Sequence, residues 1–168
     1  MPRLTLEEDH DYDFILFSIN STAEDFKICH SINSLLGIEM QKELPFEIQN
    51  KNQKEVLQFS MFQYYSEENF ITYELVSNKS FNTVRSKEKK NNKVKMQIDL
   101  FGENEEAQKQ IGFLIPELNK TDYLFIVRSE FDAALVKEIE KRLKTIEDFS
   151  NVHYVNPSDL DSKGNLIF

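Results

Sequence analysis

Glu117 and Asp122 stand five positions apart in the stretch FLIPELNKTDYLFIVRSEFD, residues 113–132, beside Pro116 and Tyr123. Two carboxylates could share general acid–base work if a turn brought both to one cleft, one holding a proton while the other accepts one. The same spacing suits a corner between two buried strands. Pro116 fits the first position of a short helical turn, where its missing N–H costs nothing. Glu117 then sits at the positive end of that turn, and Asp122 stops the turn and leads into a strand that begins at Tyr123. Residues 115–123 are therefore expected to form a strand–turn–strand corner. An enzyme using Glu117 and Asp122 is the competing reading, and it requires both carboxylates to face one cleft.

The remaining chemistry-bearing residues make no constellation. Asp9, Asp11 and Asp13 alternate as at the start of a calcium-binding loop, which needs Gly at its sixth position and Glu at its twelfth. Phe14 and Asn20 stand there instead. DLDSKG, residues 159–164, has Gly164 in place, but Lys163 stands where a ligand should, so it reads as a turn. Cys29 and His30 are neighbours on an expected helix and diverge; Cys29 falls on the apolar stripe and belongs to the core. His10, His30 and His153 are scattered, with no HExxH or CxxC spacing. Four glycines, at 37, 102, 112 and 164, are too few and too dispersed for a phosphate-cradling loop. No catalytic residue, metal or cofactor is expected.

Two features point to binding. RSKEKKNNKVK, residues 85–95, sets Arg85, Lys87, Lys89, Lys90, Lys93 and Lys95 against one Glu, a local balance of +5, so the rest of a chain of net charge −9 carries −14. Such a field repels nucleic acid over most of the surface, and only this patch could attract RNA or an acidic protein. It holds no aromatic residue to stack a base, although Phe81 is close by. The second feature is aromatic: Phe59, Phe62, Tyr64, Tyr65, Phe70 and Tyr73 fall on both faces of an expected hairpin. Most of them belong to its core, with Phe62, Tyr64, Tyr65, Phe70 and Tyr73 as candidates for a partner-binding patch.

The elements that must position these residues follow from patterning. Apolar residues make up 40% of 168 positions, enough for one domain, residues 1–168, with a real core. Fourteen Phe, six Tyr and no Trp make that core largely Phe. One cysteine allows no internal disulfide and fits a reducing compartment. The first residues lack the apolar run of a signal peptide, and the longest apolar runs are too short to span a bilayer; a cytoplasmic protein without membrane contact is expected. A strand at 12–19 precedes a helix with a capping-box start, Ser21 and Glu24, an apolar stripe of Ala23, Phe26, Cys29, Ile32 and Leu36, and Gly37 at its end. Residues 38–53 leave room for a short extended piece, but Pro45 and the polar run after it favour a loop. Strands at 55–65 and 69–77 form a hairpin, in which Leu57, Phe59 and Met61 share a face of the first strand and Ile71, Tyr73 and Leu75 a face of the second, so one face of the hairpin is expected to be buried and the other wetter.

After an exposed basic loop at about 80–95, a strand is possible at 94–101, the polar 102–110 holds at most a turn or two of helix, and 111–115 is ambiguous. A continuously apolar strand spans 122–129. A helix from Ser129 and Asp132 to about 146 carries Phe131, Leu135, Ile139, Leu143 and Ile146 inward, and Glu138–Arg142 and Glu140–Lys144 outward. A last strand, 151–155, precedes a tail that turns at Gly164 into an extended end. This order predicts an α+β fold with an antiparallel or mixed sheet and two main helices on one face, ferredoxin-like with extra strands.

IPELNKTDY, residues 115–123, resembles the signature of the bacterial IPExxxVDY family: Ile115, Pro116, Glu117, Asp122 and Tyr123 match, and Thr121 replaces the usual Val while keeping its shape. The similarity covers residues 110–168 well, including the NLIF ending, and the N-terminal half by length and element order. It implies a Bacteroidota origin and brings with it no catalytic residue, cofactor or partner. The expected function is binding of another macromolecule without catalysis, with protein as the partner and RNA work through residues 85–95 as the alternative. The sequence leaves the oligomeric state open.

Overall fold

The computed structural model describes residues 14–50, 55–83, 109–130 and 132–168. The two most continuously apolar segments, β1 (Ile15–Asn20) and β9 (Tyr123–Arg128), pair antiparallel in the middle of a six-stranded sheet. Strands apolar on both faces must be covered on both, and Leu16, Phe17, Leu124 and Phe125 are fully buried. β10 (Asn151–Val155) borders β1, and β6 (Ile71–Ser77) borders β9. Beyond β6 come β5 (Met61–Ser66) and the two-residue β2 (Gln41–Lys42). All neighbours in this sheet are antiparallel.

Both helices cover one face. Ile28, Cys29 and Ile32 of α1 (Asp25–Leu36) and Val136, Ile139 and Leu143 of α2 (Ala133–Leu143) pack with Ile15, Phe17, Ile19, Phe125 and Val127. Among β1, β6, β9 and β10 the fourth in chain order lies beside the first, then the third, then the second. With the two helices this is the split β-α-β arrangement of a ferredoxin-like fold, extended by β5 and β2. Beneath the helices an aromatic row crosses five strands: Tyr154, Phe17, Phe125, Tyr73 and Tyr64, each successive pair of ring centroids 6.3 Å apart.

The opposite face is covered without helices. The segment expected as one strand over 55–65 bends at Ser60 into β4 (Glu55–Phe59) and β5, and its partner bends at Asn78 into β6 and β7 (Lys79–Thr83). Ser77 N–H donates to Ser60 O, and Ser60 N–H to Ser77 Oγ, both at 3.0 Å, which pins the bend. β3 (Phe46–Asn50) pairs with β4, and β8 (Lys109–Phe113) with β7. Gly112 of β8 permits a close crossing, since a Cβ there would lie 2.5 Å from Leu57 Cδ2. Phe59, Leu114, Ile115, Leu160 and Leu166 then bury Leu16, Met61, Val76, Leu124 and Ile126.

Several expectations are corrected. Residues 38–53 are not all loop, because β2 and β3 lie within them. No capping box forms: Ser21 Oγ donates to Asp148 O and accepts from Ala23 N–H, and α1 begins after Glu24. Phe26, expected on the buried stripe, is exposed because the buried arc centres on Ile28 and Ile32. Gly37 does end α1 in the left-handed region, at φ 70°, with its N–H on Asn33 O at 2.8 Å. Asp132, not Ser129, caps α2 through Ala134 N–H, while Ser129 Oγ donates to Glu130 O, and the helix stops at Leu143, short of 146. Glu140 and Lys144 pair as expected, whereas Arg142 reaches across to Leu35 O rather than to Glu138. The tail after β10 forms 3-10 turns at Pro157–Asp159 and Lys163–Leu166 in place of an extended end. Phe131, the possible strand at 94–101, most of the polar 102–110 and the basic stretch lie outside the described residues.

Candidate functional site

Residues 113–123 form a strand–turn–strand corner from β8 through a 3-10 turn, Pro116–Leu118, into β9. Pro116 occupies the start of that turn and is exposed. Ile115 is fully buried, and its N–H donates to Asn78 Oδ1 at 2.8 Å. Asn78 is 0% exposed and its Nδ2 faces three corner carbonyls: Leu118 at 2.8 Å, Thr121 at 3.2 Å and Ile115 at 3.5 Å. Its backbone joins as well, N–H to Asp122 O at 2.8 Å and O from Leu114 N–H at 2.9 Å. One buried amide thus satisfies a turn whose carbonyls would otherwise be stranded from water.

The two carboxylates take different partners. Asp122 accepts from Ser21 N–H at 3.0 Å and pairs with Lys79 Nζ, which ties the β1–α1 connection to β7. Glu117 is exposed, and its Oε1 accepts from Ser162 N–H at 2.7 Å on the C-terminal tail. Desolvation raises the Glu117 pKa, but N–H groups of Glu117 itself, Ser162 and Asp161 and the Ser162 hydroxyl outweigh it and hold the carboxyl below its ordinary range. Tyr123 OH donates to Ala23 O at 2.8 Å. Burial, then the charges of Asp25, Asp122 and Glu24, push that phenol up to about 12. Each polar member of the motif therefore fastens one segment of backbone to another.

Cys29 has no activated thiol: burial, then Asp25, push its pKa up to about 11 against the opposing bond from Asn33, and only a thiolate is nucleophilic. His30 and His153 are both exposed, His153 beside Asn151 Nδ2 at 2.7 Å. His10 and Asp9, Asp11 and Asp13 lie outside the described residues, as do Arg85, Lys87, Lys89, Lys90, Lys93 and Lys95.

Patterning gave no sign of a buried ion pair on the helix-free face. Glu74, 2% exposed, accepts from Arg128 Nε at 2.8 Å and from Gln63 Nε2 at 3.0 Å. Arg128 Nη2 also meets Glu74 Oε2 at 2.8 Å and donates to Leu166 O at 2.8 Å. The guanidinium lies over the Phe14 and Phe168 rings, 5.5 and 5.4 Å from their centroids. Glu74 sits mid-strand in β6 and Arg128 ends β9, and nothing local in either segment links the two.

The proposed aromatic patch separates into core and surface. Phe62 is buried against the helix-side core and is not a surface residue. Tyr64 and Tyr73 stack on each other at the end of the aromatic row and are half-buried; burial and the Tyr64 neighbour raise the Tyr73 pKa. Tyr65 and Phe70 remain at the surface, 51% and 77% exposed, at the turn end of the β5–β6 hairpin. On this side β2 pairs only with Phe62 and Gln63, because Asn33 takes both the N–H and the C=O of Met40, at 3.0 and 3.1 Å, and draws the chain away. Among the described residues, Tyr64 and Tyr65 therefore have a ladder neighbour on the β6 side alone.

Among the described residues no helix is long and apolar enough to cross a membrane. Comparison with protein-family models, with curated proteins and with solved structures gives no match in any of the three.

Proposed function

We propose that this chain is a cytoplasmic protein-binding module that acts without catalysis, and that it is a member of the IPExxxVDY family. One observation carries the functional reading. Asn78, Asp122, Glu117 and Tyr123 hold backbone together at the corner, while the turn end of the β5–β6 hairpin leaves Tyr65 and Phe70 in water beside a strand edge that is partly unpaired among the described residues. Aromatic rings and open strand edges are what protein partners use, the first for buried contact area and the second for main-chain hydrogen bonds. Asp122 and Glu117 are committed to Ser21 and Ser162, an arrangement that suits a clasp better than an acid–base pair. The chain tagged at one end and recovered from a native lysate of its source should bring a stoichiometric protein partner with it. Recovery of the chain alone would overturn the reading.

A second reading is favoured by the +5 balance of residues 85–95, which could serve RNA processing or ribosome-associated work. Replacing Lys87, Lys89, Lys90 and Lys93 by Gln should then abolish a salt-sensitive RNA association. Unchanged RNA recovery would remove this alternative.

A further inference from the structure

Phe70 is the one non-glycine residue with positive φ among the described residues, at 55°. It ends the four-residue loop Glu67–Phe70 that the Ser66–Ile71 pair closes. The left-handed region crowds Cβ against the backbone, and a bulky residue there is a genuine outlier. Glycine or asparagine would occupy it with less strain, and Asn69 stands one position too early to do so. The ring gains little burial from the fold in return, since it is 77% exposed. Strain and exposure therefore coincide on one side chain whose fold role a smaller residue would fill better, a combination that marks functional positions.

The surroundings identify the partner's chemistry. Glu67 and Glu68 flank the ring in the same loop and are exposed. From Glu55 to Asn78 the sequence contains no Lys or Arg, and the nearby Arg128, opposite Thr72, is engaged by Glu74, so the loop's own charge is acidic. Anionic lipid and nucleic acid are repelled by such a loop. Among the described residues the strand edge past Gln63 has no second neighbour, and it offers backbone donors and acceptors that a protein chain can use and a bilayer cannot.

We propose that Phe70 is an anchor residue that inserts into an apolar pocket of a partner protein rimmed by Lys or Arg side chains, with Glu67 and Glu68 pairing with that rim. The proposal rests on the protein-binding reading above and assigns its contact point and the character of the partner.

The test uses the full chain in its source cells with the photo-reactive residue p-benzoylphenylalanine at position 70 and, separately, at position 44. Leu44 is a control for exposure alone, because it is 86% exposed on the loop after β2. The expected result is one protein adduct at 70 and none at 44, the captured peptide lying on an apolar pocket with basic residues at its edge. In the Glu67→Lys, Glu68→Lys double variant, and in raised salt, adduct yield should fall several-fold. Phe70→Gly should lose the co-purifying partner by about thirtyfold or more, the scale of a hot-spot side chain. The same variant should melt about 2–5 °C higher, because the backbone strain is relieved; this separates lost contact from lost folding. Equal adducts at both positions, capture of lipid or RNA, or indifference to charge reversal would overturn the proposal. A partner retained by Phe70→Gly would refute the anchor and leave the binding-module reading standing. A wild-type chain recovered alone would refute both.

Discussion

Asn78→Ala is expected to destabilise the protein by about 3 kcal/mol or more, the most of any single polar-to-Ala change at the corner, although Asn78 lies outside the signature itself. The substitution removes the acceptor for the buried Ile115 N–H and the donor shared by the carbonyls of Leu118, Thr121 and Ile115. A net hydrogen bond contributes about 1 kcal/mol, and each buried group left without a partner costs about 1–3 kcal/mol. Water cannot readily replace the amide, because both Asn78 and Ile115 are 0% exposed. Asp122→Asn should cost far less: its pair with Lys79 is partly exposed, with side-chain exposures of 26% and 30%, and such pairs contribute at most about 1 kcal/mol. Urea unfolding of the two variants measures the difference as a midpoint shift at constant slope. Equal midpoints would show that the corner is held by its own motif residues rather than by the strand bend at Asn78. Asn78→Asp sharpens the test, since it keeps an acceptor for Ile115 N–H while setting a carboxylate against three carbonyl oxygens.

The contrast between Asn78 and the motif shows what the sequence carried. β10 over 151–155, β9 within 122–129 and the bodies of the two helices were legible because each is a local pattern: apolar periodicity and a glycine at 37. The corner at 113–123 was legible for the same reason, since Pro116 starts its own turn, although the long-range bonds of Asp122 to Ser21 and Lys79 were not. Asn78 was not, because its side chain bonds residues 37 to 43 positions away. Nothing local separates it from the polar residues around it. The bend at Ser60 was hidden likewise. Leu57, Phe59 and Met61 keep their alternation straight through it and all reach the helix-free core, so the period of two continues while the strand changes sheet. The alternation within each strand was right, but the two apolar sets do not share one buried face: Leu57, Phe59 and Met61 face the helix-free core, and Ile71, Tyr73 and Leu75 the helix side. Phe62 and Tyr64 lie on the helix side, Met61 on the other, and both faces are buried in place of one buried and one wet. Of the aromatic candidates, exposure singles out Tyr65 and Phe70, because only a turn end escapes two-sided covering.

Arg128→Ala is the second large effect, expected at about 3–5 kcal/mol, and its value lies in how it combines with Glu74. Alone, the change leaves a carboxylate that is 2% exposed with Gln63 as its remaining side-chain partner, and an uncompensated buried charge is costly in this range. Against a total stability of about 5–15 kcal/mol for a domain, that is enough to leave a marginal fold. The desolvation of both ions opposes their attraction, so replacing the pair together should cost much less. Glu74→Leu with Arg128→Met is therefore predicted to lie within about 1–2 kcal/mol of wild type, giving a coupling of about 2 kcal/mol or more in a double-mutant cycle. Arg128 has a further partner that the cycle alone does not report, since Nη2 holds Leu166 O and the guanidinium stacks beside Phe168. The double variant should regain stability yet keep a loosened tail, seen as faster proteolysis within residues 157–168 than in wild type. If it regains both, the tail is held by Leu160, Leu166 and the Glu117–Ser162 bond, and the arginine acts only as counter-ion to Glu74. If it regains neither, the ion pair is not the unit that stabilises this face, and the cation over the Phe14 and Phe168 rings becomes the dominant contact.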